Sequence, residues 1–180
     1  MFLQKLSYFS SFLLIGGVLS LALPVQAQDS HGTPEFKFET RLEFVARVYI
    51  SPRIDVGESK RGERRVVPIT GGTFEGPDIR GEVLPGGEDW QLVRPDGVTE
   101  LYARYLLRTD DGYVIQVINQ VLSYTPPGGE NYRRSVIDLE APLDSPYDYL
   151  NKAIFLGTLD SPSVPAGEDR YVVISAYRVL

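Results

Sequence analysis

The sequence predicts an all-β protein, built as one antiparallel sandwich or barrel of about eight short strands. Three observations carry this. Apolar and polar residues alternate with period two over long stretches, which puts one face of each strand in a core and the other in water. Gly- and Pro-rich turn signals recur every 8–12 residues. The runs Thr99 to Arg108 and Tyr113 to Leu122 are joined through Asp110-Asp111-Gly112, a strong hairpin signal.

The elements follow in order. Phe36, Phe38, Leu42, Phe44, Ala46 and Val48 occupy even positions, and Glu35, Lys37, Glu39, Arg41 and Glu43 odd ones, so a long strand starts at Glu35. Its length calls for a bend or bulge near Val45. A polar loop, Asp55 to Glu63, precedes a strand from Arg64 to Ile69. Pro68 marks that strand as an edge or a bulge. Thr70 to Pro77 reads as turn-rich, Ile79 to Leu84 as a short strand, and Trp90 to Arg94 as the next. Residues 123–148, with Pro126, Pro127, Gly128, Gly129, Pro142 and Pro146, read as one long irregular loop. Ser145 to Asn151 can form a helical turn. Ala153 to Leu159 and Arg170 to Val179 close the domain.

The first 27 residues differ in kind. Lys5 is their only charge, Leu6 to Leu23 is apolar, and Pro24 precedes Val25-Gln26-Ala27. This pattern predicts a signal peptide cleaved after Ala27 and a single domain over residues 28–180, periplasmic or extracellular. An uncleaved anchor is the alternative reading. Residues 28–34 are polar and predicted disordered. Without Lys5 the chain carries 17 basic and 24 acidic residues, a net charge of −7. Such a domain repels phosphate backbones and anionic lipid, so neither nucleic acid nor stable membrane association is expected.

Several chemistries fall away. There is no Cys, hence no disulfide and no thiol chemistry. His31 is the sole His and lies in the polar tail, which argues against a Ser-His-Asp triad and against imidazole-bound metal. Asp138, Asp144 and Asp148 match no defensible calcium loop, so no metal and no cofactor is expected. Gly71-Gly72-x-x-x-Gly76 lacks the Lys and helix of a phosphate loop and reads as turn glycines. Trp90, the only Trp, suits either the core or a pocket wall. The eleven Tyr suit pocket walls or plain strand propensity. On Leu101 to Arg108, the face bearing Tyr102, Arg104, Leu106 and Arg108 fits a snorkelling exterior or a partly polar cavity.

Pro68-Ile69-Thr70-Gly71-Gly72-Thr73-Phe74-Glu75-Gly76-Pro77 is followed by Gly81-Glu82-Val83-Leu84-Pro85-Gly86-Gly87-Glu88-Asp89-Trp90. With Arg104-Tyr105, Thr109 to Gly112, Asn119 and Tyr149-Leu150-Asn151, these motifs resemble the family known as domain of unknown function 3237 (UPF 0311), over residues 36–180. The resemblance implies a compact, calycin-like antiparallel β-barrel with a central cavity and an unassigned role. The family's polar pattern falls on Asp89, Trp90, Arg104, Asn119, Arg134 and Asn151, the candidate ligand-binding residues. The chain departs from it at Tyr102, Gln120, Tyr149 and Lys152.

Three functions compete. One is an exported barrel binding a small, partly apolar or aromatic ligand, with Arg104 and Arg134 engaging an anionic group. A second is a cofactor-independent isomerase, cyclase or lyase, with Asp89 or Glu82 as general base and Arg104 stabilising an enolate. The third is an interaction module using an edge strand near Pro68.

Overall fold

The computed structural model describes residues 37–180. The signal-peptide reading, the polar tail and His31 fall outside the described residues. Ten strands are present: β1 (Thr40–Ile50), β2 (Ile54–Ser59), β3 (Gly62–Glu75), β4 (Arg80–Val83), β5 (Glu88–Val93), β6 (Thr99–Thr109), β7 (Val114–Tyr124), β8 (Tyr132–Glu140), β9 (Phe155–Asp160) and β10 (Tyr171–Val179). Among the described residues a single 3-10 turn, η1 (Asp148–Lys152), precedes β9.

Every pairing between these strands is antiparallel, and the sheet closes on itself. β1 pairs with β10, and pairing then runs through β9, β8, β7 and β6. β4 and β5 share one position between β6 and β3. β3 returns to β1, while β2 continues the line of β1 along β3 past the bend at Ser51–Arg53. Ten strands therefore make eight staves of a closed barrel. Closure removes the free edges that an open sheet would expose.

Several details differ from the sequence reading. β3 runs unbroken through Pro68 and Gly71-Gly72, where a strand end and a turn are expected. The sequence signal was a bulge at Thr70, where Tyr49 opposes Gly71 and Ile50 opposes Ile69. Gly72 is required there: with φ +148°, its position would put a Cβ 2.1 Å from the Arg47 carbonyl oxygen. β3 is also paired on both sides, so no free edge lies near Pro68. The expected long loop splits into two short connections, because β8 crosses it. The alternation of Ser135, Ile137 and Leu139 with exposed Arg134, Val136 and Asp138 carried that strand.

The bulge on β1 falls between Leu42 and Phe44 and turns Glu43 inward. Its side chain is 1% exposed, although period two assigns it to the wet face. Tyr149 of η1 donates its hydroxyl to Glu43 Oε1 at 2.5 Å, and Arg178 Nε lies 3.6 Å from Oε2. The Arg178 guanidinium also stacks 5.2 Å from the centre of the Tyr149 ring. Burial, then the Glu43 carboxylate, holds the Tyr149 hydroxyl well above its ordinary pKa.

That latch fastens η1 across one end of the barrel. Beneath it the interior is solid: Phe44, Phe74, Leu107, Ile115, Leu139, Leu150 and Phe155 are buried, with Phe44 and Phe74 edge to face at 5.6 Å. Tyr147 packs on Tyr113 and donates to Asp111 Oδ1, closing the same end. Asn151 bonds both the amide and the carbonyl of Ala141, and so ties η1 to the end of β8.

Candidate functional site

The opposite half of the barrel is hollow. A cavity of about 230 Å³ lies above the packed end. Its walls are mostly aliphatic, with Val48, Val67, Ile69, Leu101, Val121 and Ile174 among them. Set into these walls are Asp89, Gln91, Arg65, Tyr105 and Asn119. Arg53 and Arg170 stand at the mouth beside Ser51 and Ser161.

The sheet register explains the placement. Asp89 of β5 opposes Ala103 of β6, and Ala103 opposes Asn119 of β7. These three side chains form one inward row. Ala103 in the middle is only a methyl, so a gap about two strand spacings wide, roughly 9.6 Å, separates Asp89 from Asn119. Tyr105, two residues along β6, rises beneath that gap. Gly87 makes room for it: a Cβ there would stand 2.5 Å from the Tyr105 Cβ. The Pro85-Gly86-Gly87 turn thus has a packing reason as well as a conformational one.

One row nearer the mouth, Arg65 opposes Gln91, and Gln91 opposes Leu101. Arg65 Nε donates to Gln91 Oε1 at 2.8 Å, and Gln91 Nε2 donates to Asp89 Oδ2 at 2.6 Å. The arginine fixes which way the amide faces, and the amide then holds one carboxylate oxygen. Among the described residues six buried side-chain polar atoms have no hydrogen-bond partner. Glu43 Oε2 and Arg178 Nε belong to the latch and Ser135 Oγ to β8, whereas Asp89 Oδ1, the Tyr105 hydroxyl and Asn119 Oδ1 all belong to cavity-lining residues. Burial raises the Asp89 carboxyl above its ordinary range, opposed by the Gln91 hydrogen bond, the Tyr102 backbone and the Arg65 charge. Burial, and then the Asp89 charge, raises the Tyr105 hydroxyl, which stays protonated as a donor.

Of the six residues singled out from the sequence, the structure brings Asp89 and Asn119 together in the cavity wall. The other four lie elsewhere. Trp90 is 45% exposed on the outer face and donates Nε1 to Glu88. Arg104 also points outward and holds Gln116 Oε1 through Nε and Nη2. Arg134 lies outside over the Tyr132 ring, beside the mouth, where Asn131, Arg133 and Ser161 form a shallow depression. Asn151 sits at the packed end. Glu82, the other candidate base, pairs with Arg108 on the exterior.

Period two could have found the missed residues. If Asp89 faces in, Gln91 must face in and Trp90 must face out. The same rule sends Ala103 and Tyr105 inward and Arg104 outward, so the face with Tyr102, Arg104 and Leu106 is the snorkelling exterior. Arg65 follows from the pairing of β3 with β5, which single-strand patterning does not contain. Among the described residues, no group of three or more His, Cys, Asp or Glu could hold a metal ion.

Fold and site together define a small antiparallel β-barrel, solid at one end and hollow at the other, with a polar cluster set into an aliphatic cavity. The chain belongs to the family described as Protein of unknown function (DUF3237), whose model matches residues 39–179. A UPF0311 protein of Rhodopseudomonas palustris is 41% identical over 88 residues, 49% of this chain and 58% of that protein. One from Clostridium acetobutylicum is 48% identical over 65 residues, 36% of this chain and 41% of that protein. The aligned stretches thus span well under two thirds of these curated relatives. Among solved structures, a conserved protein of unknown function from Rhodopseudomonas palustris superposes with a TM-score of 0.70 at 32% identity, covering 81% of this chain and 99% of that one. A β-barrel like protein from Acinetobacter baumannii gives 0.70 at 27% identity, covering 81% and 98%. An enzyme from Penicillium herquei, at 22% identity and a TM-score of 0.63 over 83% of this chain and 99% of that one, shares the fold.

Proposed function

We propose that this protein binds a small organic anion with an apolar body inside the open half of the barrel. The observation that carries the reading is the set of three buried, unpartnered polar atoms in an otherwise aliphatic cavity. A buried polar group without a partner costs about 1–3 kcal/mol, so a site that keeps three of them is matched to a ligand that supplies the partners. Asp89 Oδ1 and Asn119 Oδ1 would accept from ligand hydroxyl or amine groups, and Tyr105 would donate to a ligand oxygen.

Size and charge narrow the class. An apolar cavity of about 150 Å³ holds a benzene ring. At about 230 Å³ the present cavity suits one ring with a short substituent. Arg53, Arg65 and Arg170 line it against a single lining acid, Asp89; Arg53 is paired with Asp55 at 2.9 Å, which leaves Arg65 and Arg170 as the excess of positive charge in a chain of net charge −6. Such a local reversal of sign draws an anionic group to the mouth. The N-terminal pattern supports export, which places the ligand outside the cytoplasm; fractionation showing an uncleaved, cytoplasmic chain would overturn that part.

The test is calorimetric titration of the purified protein with 4-hydroxyphenylacetate and with 4-cresol, which lacks the carboxylate. Saturable binding of the acid, weakened tenfold or more in Arg170→Gln and in Asn119→Leu, is the expected result. Absence of binding by both compounds, or binding indifferent to both substitutions, would overturn the reading.

A further inference from the structure

We infer that Asp89 and Tyr105 form an acid–base pair that moves a proton at the carbon beside a carbonyl, and that the substrate class is a small enolisable oxo acid. This rests on the binding reading above and deepens it. The geometry argues for more than recognition. A carboxylate tethered at one oxygen and unpartnered at the other can accept a ligand's hydroxyl, and the same lone pair can accept a proton. Here Gln91 occupies Asp89 Oδ2, Arg65 fixes Gln91, and Oδ1 is buried without a hydrogen-bond partner on a residue of the cavity wall. A general base draws on that arrangement: one oxygen held by a fixed support and a lone pair on the other not already spent on a protein donor.

The other half of the pair is the Tyr105 hydroxyl, which is buried and unpartnered beneath the Ala103 gap. A carbonyl oxygen resting on Tyr105 would bring its neighbouring carbon over Ala103, between Asp89 and Asn119. Asp89 Oδ1 then takes the proton. The C–H electron pair becomes the C=C bond, and the carbonyl π pair moves onto oxygen, where the Tyr105 O–H donates to the enolate. Return of the proton from Asp89 to the same carbon completes exchange. Return to a conjugated carbon completes an isomerisation. No oxidant, metal or second substrate is consumed. Burial, which raises the Asp89 carboxyl, makes it a stronger base than an exposed aspartate once ionised. Asn119 and the arginines of the mouth position the substrate, and Gln91 and Arg65 are positioning residues for the base.

This assignment differs from the one the sequence suggests in its second member. Arg104, the sequence candidate for stabilising an enolate, lies on the outer surface and is held by Gln116. Its chain neighbour Tyr105 faces the cavity instead.

Phenylpyruvate is a fitting probe, with one ring, a carbonyl, acidic benzylic hydrogens and a carboxylate. 3-Phenylpropionate lacks the carbonyl and reports binding alone. The protein is incubated with phenylpyruvate in D2O, loss of the benzylic proton signal is followed by NMR against buffer, and binding of both acids is measured by calorimetry. The expected result is protein-dependent exchange that falls 10²-fold or more in Asp89→Asn, well beyond any change in its affinity for 3-phenylpropionate, and about as far in Tyr105→Phe. Gln91→Leu, which leaves the carboxylate but frees it to turn, should slow exchange with little change in affinity. Circular dichroism confirms that each variant is folded. Saturable binding with no exchange above buffer would overturn the proton transfer and leave the binding reading standing. Exchange that survives in Asp89→Asn would overturn the assignment of the base. Failure of both acids to bind would overturn both readings.

Discussion

Replacing Tyr149 with Phe isolates the latch that holds η1 on the packed end. The substitution keeps the ring, its packing and its stacking with Arg178 at 5.2 Å, and removes one hydroxyl. That hydroxyl donates to Glu43 Oε1 at 2.5 Å. The carboxylate is 1% exposed and has no water to turn to; its other oxygen is 3.6 Å from Arg178 Nε, a loose contact. A hydrogen bond to a charged group contributes about 1.5–3 kcal/mol, so a loss of about 2 kcal/mol is expected. For a domain of this size that lowers Tm by roughly 4–8 °C. Chemical denaturation and calorimetry measure it directly. The stronger test is a cycle with Glu43→Gln. With the acid neutralised the hydroxyl has less to stabilise, so the two losses should fall short of additivity by about 1 kcal/mol. A loss below about 0.5 kcal/mol, or strict additivity, would refute the claim that the buried carboxylate depends on this donor.

Other outcomes follow from the same geometry. Asp89 has its folded-state pKa raised above the ordinary 3.8, so the native state holds its proton more tightly than the unfolded chain does. Its stability contribution therefore falls as pH rises from the ordinary carboxylate range through the raised value. Asp89→Asn should be more stable than the parent at pH 7, with the gain shrinking toward zero near pH 4 in paired urea titrations; a gain independent of pH would contradict this. Ala103→Leu fills the gap between Asp89 and Asn119 and should abolish ligand binding while circular dichroism still reports the folded sheet. Trp90→Phe should leave ligand affinity unchanged, and Trp90 emission should be that of a wet indole, since the ring is 45% exposed outside the barrel. Gly72→Ala should cost about 3 kcal/mol or more, read by thermal melting, because its Cβ would meet the Arg47 carbonyl.

The sequence carried the fold further than the site. Alternation along β1, β6 and β7 and the Asp110-Asp111-Gly112 hairpin gave strands in the right places, and the glycine motifs pointed to a barrel. Alternation also broke where it mattered: one extra residue in β1 turned Glu43 into the interior. For the site, residues were taken one at a time for their chemistry. Asp89 with Trp90 cannot share a face, since neighbours on a strand point apart. The relay from Arg65 through Gln91 to Asp89 crosses two strands whose partnership is absent from either sequence segment alone. Alternation along β6 separates Tyr105 from Arg104 but leaves open which of the two faces turns inward, and the lack of a partner for Tyr105 is a property of the assembled wall.

The hollow and the packed halves are not separate reserves of stability. Val48, Ile69, Ala103, Tyr105, Val121, Leu159 and Ile174 line the cavity and belong to the same buried core as Phe44, Leu107 and Phe155, while Leu101 and Val172 are only partly buried against it. Reshaping the cavity at Leu101 or Val172 therefore draws on half-buried contacts, whereas reshaping it at Val121 or Ile174 draws on the core itself. A library randomised at Leu101 and Val172 should return a higher proportion of folded members than one randomised at Val121 and Ile174, read by thermal melting, so ligand preference in this barrel is free to drift along one part of the wall and tied to stability along the rest.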